Sequence, residues 1–402
     1  MNYRFKKKNI FALYSDQTGP IRDTKTLFEG LSMTDNNNRQ KETRWAIIGA
    51  GNGGQSMAGH LGIEGYSVRL YDVFESTIKT INDKKGIEVQ GEINGFGPVE
   101  LATTNIQQAL EGANLIVVVL PAVYHKDIAR SCAPFLKDNQ IIILHPGATF
   151  GALEFKKVLE DEKCTADVII SESLSLIYAC RAEKPGFATI FGIKKSLKLA
   201  AIPATATPKV LELLNPVFPQ FEPARNILET SLGNLNSMMH PGPTLLNTGR
   251  IDSQTDFLYY WEGITPVIGD FVEQLDVERM DLAKALGLDI PTLREAYKDI
   301  YGVSGESLHD TVRANQAYAG IKGQKTLDTR YLTEDIPTGL YPMVSLGKLL
   351  GVSVARMETL VKLSEYLLKK DLTSDARSVQ NLGLDKMTAQ QIVHYAETGQ
   401  RS

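Results

Sequence analysis

Two short islands in the C-terminal half hold residue types suited to chemistry on a carbonyl or imine. The first is Asn236-Ser237-Met238-Met239-His240-Pro241-Gly242-Pro243-Thr244-Leu245-Leu246-Asn247. The second is Asp328-Thr329-Arg330-Tyr331-Leu332-Thr333-Glu334-Asp335-Ile336-Pro337-Thr338-Gly339-Leu340. Delivering a hydride to a C=O or C=N carbon calls for a proton donor at the heteroatom and a cation for a substrate carboxylate. Histidine suits the first task near neutral pH, and an acid partner fixes its tautomer and favours its protonated form. Arginine suits the second, because its planar fork grips a carboxylate through two bonds. Pro241 biases His240 away from helical geometry and Pro243 stiffens the turn, so His240 is expected in a fixed loop or at a helix start.

The other five histidines carry weaker signals. His60 and His394 fall within helical stretches and His309 near the start of one, whereas His125 and His145 lie near strand ends, within reach of a cofactor. The plain reading of Arg330 and Asp335 is a surface ion pair worth ~0–1 kcal/mol.

A second kind of chemistry opens the ordered part of the chain. Trp45-Ala46-Ile47-Ile48 reads as a buried strand and runs straight into Gly49-Ala50-Gly51-Asn52-Gly53-Gly54. A helical stretch from Gln55 to Glu64 and a second strand, Ser67 to Tyr71, follow, ending at Asp72. This is G-x-G-x-x-G between a strand and a helix, the context that a dinucleotide site requires. Gly49 permits the tight turn, Gly51 lets a pyrophosphate approach the backbone, and Gly54 allows close helix–strand packing. The amides at the helix start, those of Asn52 and Gly53 among them, favour phosphate. Asp72 lies 23 residues beyond Gly49, where an acid accepts hydrogen bonds from the adenosine ribose and repels a 2′-phosphate. NAD(H) is therefore favoured, with NADP(H) as the alternative.

These motifs need a scaffold. Leu115 to Leu120, Ile141 to Leu144, Val168 to Ile170 and Ala188 to Phe191 read as further strands, separated by helical stretches at Lys126 to Leu136 and Gly151 to Glu160. Strands alternating with helices imply a doubly wound, largely parallel sheet. Pro121, His145 and Glu172 fall at strand ends, where such sheets bind ligands. Beyond Phe221 helical periodicity takes over: Phe257 to Leu286, broken at most near Pro266, then Thr292 to Tyr301, Ser307 to Ile321, Met343 to Tyr366 and Ala389 to Ala396. The expected fold is an α/β Rossmann-like, doubly wound N-terminal domain over residues 44–222 and an all-α substrate and catalytic domain over 223–402. Residues 1–43, with the basic cluster Arg4, Lys6, Lys7 and Lys8 and a polar run before Arg44, read as a flexible extension, and Met33 is an alternative start.

Composition narrows the class. The 402 residues are 43% apolar and 22% charged, as in ordinary soluble globular proteins. A net charge of −4, from 43 basic and 47 acidic residues, gives no electrostatic case for nucleic acid. The longest strongly apolar run, Leu115 to Val123, is far short of the ~20 residues of a membrane span. Cys132, Cys164 and Cys180 have no metal-like spacing and fit a reducing, cytoplasmic setting. No metal site is expected, and a homodimer is an assembly the sequence leaves open.

The chain resembles the opine dehydrogenases, the octopine/nopaline dehydrogenase family, over residues 44–395. The resemblance rests on the glycine motif, on Pro146-Gly147-Ala148-Thr149-Phe150-Gly151-Ala152-Leu153-Glu154-Phe155, and on Glu172 with Leu176-Ile177-Tyr178-Ala179-Cys180-Arg181. It extends to His240-Pro241-Gly242-Pro243 with Asn247, and to Arg330 through Pro337. Members join an amino acid amine to an α-keto acid and reduce the imine to an N-(carboxyalkyl)amino acid. The resemblance implies that His240 and Asp335 are the catalytic pair and Arg330 the substrate arginine. Glu172 and Asn247 are further expected substrate contacts. One departure is that many relatives carry Asn-Pro-Gly-Arg-Thr where this chain has His145-Pro146-Gly147-Ala148-Thr149. The competing classes are a carbonyl-reducing dehydrogenase of a 2-keto or phosphorylated substrate, and a non-catalytic NAD-binding sensor. Replacing Asp72 by Ser should raise the NADP preference, read as the ratio of kcat/KM for NADPH and NADH; an unchanged ratio would remove Asp72 from cofactor selection.

Overall fold

The computed structural model describes residues 43–401. The extension expected over residues 1–43 lies, but for Thr43, outside the described residues. Among the described residues there are twelve strands: β1 (Arg44–Ile48), β2 (Ser67–Tyr71), β3 (Gly86–Gly91), β4 (Gly95–Pro98), β5 (Leu101–Thr103), β6 (Leu115–Val118), β7 (Ile141–Leu144), β8 (Ile169–Ser173), β9 (Tyr178–Lys184), β10 (Phe187–Ile193), β11 (Leu197–Ile202) and β12 (Phe221–Pro223). Eight of them form one sheet in the order β12-β11-β8-β7-β6-β1-β2-β5. Strands β5, β2, β1, β6, β7 and β8 run parallel, which is the 3-2-1-4-5-6 order of a dinucleotide-binding sheet. Strand β11 joins antiparallel to β8, and β12 pairs parallel with β11.

Central strands of such a sheet are covered on both faces and so carry continuous apolar runs. Alternate residues of β1, β6 and β7 enter different cores. Trp45, Ile47, Leu115, Val117, Ile141 and Ile143 face one. Ala46, Ile48, Ile116, Val118, Ile142 and Leu144 face the other. That second core continues without a break into Met238, Leu275, Leu340 and Leu346 of the helical half, so the helices cap one face of the sheet.

The expected strand at Ala188 to Phe191 exists as part of β10, but outside the main sheet. It pairs with β3 and β9 in a separate four-stranded sheet of order β4-β3-β10-β9. After Pro223, the last strand residue, the named elements are helical. The stretch from Phe257 to Leu286 is not one helix. Helix begins at Pro266, where the Thr265 side chain caps it, and ends at Ala285. The preceding Phe257–Ile264 segment is irregular and bridges to Lys322 through Leu258. Met343 to Tyr366 is likewise divided, at Gly351 (φ +69°), into helices Tyr341–Leu350 and Ala355–Leu368. Both breaks have one cause: apolar periodicity persists across a proline that starts a helix and a glycine that ends one.

Candidate active site

Strands β1 and β6 are neighbours whose connections leave in opposite directions, and their carboxyl ends define the crevice. From β1 the chain enters the glycine turn. Gly49 has φ +109°, and a Cβ there would lie 2.6 Å from the Val119 carbonyl oxygen. A Cβ on Gly54 would fall 1.7 Å from the Gly49 oxygen, and one on Gly53 would meet Val119 at 2.8 Å, so both glycines permit close packing. Gly51 differs: it is exposed, and a Cβ there would meet nothing within 4 Å. It forms an open ledge before helix α1 (Asn52–Ile63), whose first-turn amides have no intrahelical acceptor. The Asn52 side chain faces elsewhere, its Oδ1 accepting from the Ala182 amide at 2.9 Å.

Asp72 follows β2 and is only 8% exposed. Its Oδ2 accepts from the Ala50 amide at 2.5 Å and its Oδ1 from Phe74 at 3.1 Å. The carboxylate thus braces the glycine turn while retaining acceptor capacity, since each oxygen offers two lone pairs. Pro121, after β6, begins a tight turn over Ala122–Tyr124. The Ala122 amide donates to Glu334 Oε1 at 2.9 Å.

On the helical side, His240 links two short helices, Asn236–Met239 and Pro241–Leu246. The helix-start expectation holds, but with right-handed helical angles (φ −104°, ψ −57°) rather than an extended backbone. Its carbonyl accepts from the Thr244 amide and from the Tyr259 hydroxyl, which offset the steric preference of a residue before proline. The His240 side chain is 11% exposed. Its Nδ1 lies 2.7 Å from Asp335 Oδ2 and its Nε2 lies 3.1 Å from the Tyr260 hydroxyl. Tyr331 stacks on it with 3.9 Å between ring centres and planes 3° apart.

Arg330 opens the helical turn Arg330–Thr333, and its side chain is 67% exposed. It pairs not with Asp335 but with Glu334, with Nε 2.9 Å from Oε2. The two adjacent acids therefore have different partners. Burial pushes the Glu334 carboxyl up, opposed by the Arg330 charge. The Thr149 amide donates to Thr338, so both flanks of Asp335 are tied to the carboxyl ends of β6 and β7.

Two expected substrate contacts take other roles. Glu172 is fully buried and accepts hydrogen bonds from Thr230 Oγ1 (2.7 Å), Ser231 Oγ (2.8 Å) and the Ala152 amide (2.7 Å). Burial raises its carboxyl, and these donors oppose the shift. It pins the sheet to the helical half and leaves no face open to a substrate. Asn247 is also buried, and its Nδ2 donates to the Pro243 and Gly263 carbonyls, holding the Tyr259–Tyr260 segment beside His240. His145 and His125, placed by sequence near the cofactor, are closed off as well. His145 contacts Ser173 at 2.6 Å, accepts the Ile177 amide at 3.1 Å and is pushed down by burial to about 3. His125 meets the guanidinium of Arg377 at 3.1 Å.

Sequence reasoning missed Tyr260, Tyr331, Glu334 and Arg377. Arg377 is 1% exposed and donates to the carbonyls of Gly147 (2.8 Å), Thr149 (3.0 Å) and Ala122 (2.9 Å) while pairing with Glu154. It supplies a cation to the loop where this chain carries Ala148. Its only sequence signal is a lone arginine far downstream.

The parallel sheet, the glycine turn at its crevice and the buried imidazole–carboxylate pair stitched to the neighbouring strand ends define a two-domain nicotinamide-nucleotide dehydrogenase. The chain belongs to the opine dehydrogenase family. Over 346 residues it is 40% identical to the opine dehydrogenase of Arthrobacter sp. (strain 1C), covering 86% of this chain and 96% of that one. It is 23% identical over 370 residues to the octopine dehydrogenase of Pecten maximus, covering 82% and 91%. Residues 223–368 match the model for the NAD/NADP octopine/nopaline dehydrogenase alpha-helical domain, and residues 44–169 that for the NAD-dependent glycerol-3-phosphate dehydrogenase N-terminus. Among solved structures, octopine dehydrogenase with NADH and L-arginine superposes with a TM-score of 0.75 at 21% identity, over 90% of this chain and 99% of that one. Yersinopine dehydrogenase with NADP+ gives 0.71 at 16% identity, over 89% and 98%. The chain is thus an NAD(P)-dependent oxidoreductase acting on CH–NH donors. Among the described residues no helix is long and apolar enough to cross a membrane.

Removing the Glu172 carboxylate by Glu172→Ala strands two buried donors, the Ser231 hydroxyl and the Ala152 amide, each costing about 1–3 kcal/mol, while Thr230 keeps the Ile227 carbonyl. The denaturation midpoint should fall steeply while the KM values for both substrates stay within twofold in the folded fraction. A changed substrate KM at unchanged stability would restore Glu172 to the substrate site.

Proposed function

We propose that this chain reductively joins an amino acid to an α-keto acid, pyruvate by default, with His240 and Asp335 handling protons and Arg330 anchoring the keto-acid carboxylate. The observation that carries this reading is the 2.7 Å contact between His240 Nδ1 and Asp335 Oδ2, with Arg330 exposed five residues before that acid. A solved octopine dehydrogenase of similar fold holds NADH and pyruvate, which supports the keto-acid choice.

The nucleotide fits the residues around Gly51. Gly49, Gly51, Gly53 and Gly54 with the amide of Asn52 would hold the pyrophosphate, Asp72 the adenosine ribose, and Pro121 would border the nicotinamide. The acidic Asp72 supports NADH over NADPH. Reduced nicotinamide supplies the hydride for the C=N carbon.

Asp335 accepts the Nδ1 proton of His240, which leaves Nε2 as the atom that exchanges protons. In the forward direction the imidazole takes a proton as the amine attacks the keto carbon. The keto oxygen takes a proton from solvent to become a hydroxyl, and the imidazole returns its stored proton to that hydroxyl, which leaves as water. Glu334 engages Arg330 through Nε and leaves both terminal nitrogens for a two-bond grip on the keto acid. The working division falls at residues 222 and 223, with the nucleotide on one side and the proton-handling groups on the other. Three free thiols, Cys132, Cys164 and Cys180, support a cytoplasmic setting.

General acid–base help is worth about 10²–10⁴ in rate. His240→Ala should therefore lower turnover by at least a hundredfold while NADH binding, read by fluorescence titration, stays within twofold. Wild-type turnover in that variant would exclude His240, and NADH oxidation without added amine would exclude the imine route.

A further inference from the structure

His240 has no free ring nitrogen. Its Nδ1 faces Asp335 at 2.7 Å, its Nε2 faces the Tyr260 hydroxyl at 3.1 Å, and one ring face lies under Tyr331. A substrate touching Nε2 directly would have to displace Tyr260. That side chain is 5% exposed, and its ring stacks on Tyr318 with 3.9 Å between centres and planes 14° apart. Asn247 holds the turn that carries it, through Gly263. Tyr331, whose ring stacks on the imidazole, is the residue next to the exposed Arg330, which sets His240 and Tyr260 near the proposed keto-acid anchor.

We infer that Tyr260 is a proton-carrying residue of this reaction, its hydroxyl passing protons between His240 Nε2 and the substrate. The inference rests on the assignment of His240 given above.

A hydroxyl does this without accumulating charge. As the amine nitrogen forms its bond to the keto carbon, the proton it loses passes to the Tyr260 oxygen, and the keto oxygen takes from solvent the one proton that the overall reaction consumes, becoming the carbinol hydroxyl. Tyr260 simultaneously gives its own proton to Nε2. In the return step Nε2–H protonates the Tyr260 oxygen, and Tyr260 gives its own proton to the carbinol hydroxyl. The C–O bond then breaks, its electron pair leaving with water, and the nitrogen lone pair forms the C=N bond. One proton is stored on His240 and returned, so both side chains end as they began. Burial holds the Tyr260 phenol well above its ordinary range, so it stays neutral between transfers. This matches a concerted hop rather than a tyrosinate.

Tyr260→Phe keeps the ring on Tyr318 and removes only the hydroxyl. If protons pass through Tyr260, single-turnover NADH oxidation should fall at least tenfold, with KM for both substrates and Kd for NADH within twofold. If His240 meets the substrate directly, the variant frees Nε2, and a smaller fall or a gain overturns the inference. Thermal melting and NADH titration verify that the variant is folded. Should it fail to fold, the proton inventory of wild-type single turnover decides. Two protons in flight predict a curved dependence on deuterium fraction, and a linear dependence or none overturns the inference. Loss of activity in His240→Ala without loss in Tyr260→Phe defeats the relay alone, whereas full activity in His240→Ala defeats the reading beneath it.

Discussion

A buried imidazole held by a buried carboxylate is the constraint on which the site depends. His240 and Asp335 lie 95 residues apart in sequence yet within 2.7 Å, and neither could stay buried and polar without the other. Their meeting fixes how the helices pack. The segment carrying Asp335 is fastened on both flanks to the sheet, through Glu334 to Ala122 and through Thr338 to Thr149. Arg377 then binds the carbonyls of those same loops. The imidazole–carboxylate pair is therefore registered against the strand ends that border the glycine turn. A single apolar core running from the sheet into the helices makes that registration rigid.

Two consecutive acids show how placement assigns tasks to like residues. Asp335 turns to the imidazole and Glu334 to the arginine. Glu334 also receives the Ala122 amide, so one carboxylate touches both the loop after β6 and the exposed arginine. An exposed arginine alone would lose orientation to side-chain entropy. Its contact with a buried partner restricts the guanidinium before any ligand arrives.

Much of this was legible in the sequence where local chemistry determines local structure. The glycine turn, the strands at β1, β2 and β7 and the helix at Gly151 were legible because runs of buried aliphatics and obligatory glycines permit few alternatives. The pairing of His240 with Asp335 was reached through family resemblance, since no local rule joins segments so far apart. Tyr260 was hidden because its neighbourhood reads as part of a helix: the periodicity from Phe257 to Leu286 gives no sign that Phe257–Ile264 is an irregular turn. Glu172 misled in the opposite sense. A carboxylate at a strand end in a crevice-bearing sheet is a sound candidate for ligand contact, but Thr230 and Ser231 from the helical half claim it. Only tertiary contacts distinguish an acid that faces a substrate from one that joins two layers. Arg377 was invisible for the same reason, its five partners lying far away in sequence.

The central claim is that Asp335 sets the tautomer of His240 and so makes the imidazole competent to exchange protons at Nε2. The most direct measurement is the single-turnover rate of NADH oxidation by Asp335→Asn, with amino acid and keto acid both saturating. The side chain keeps its shape but no longer enforces a proton on Nδ1. The account predicts a fall of about a hundredfold or more, in the range of lost acid–base help, with NADH affinity unchanged. A rate within tenfold of wild type would contradict it.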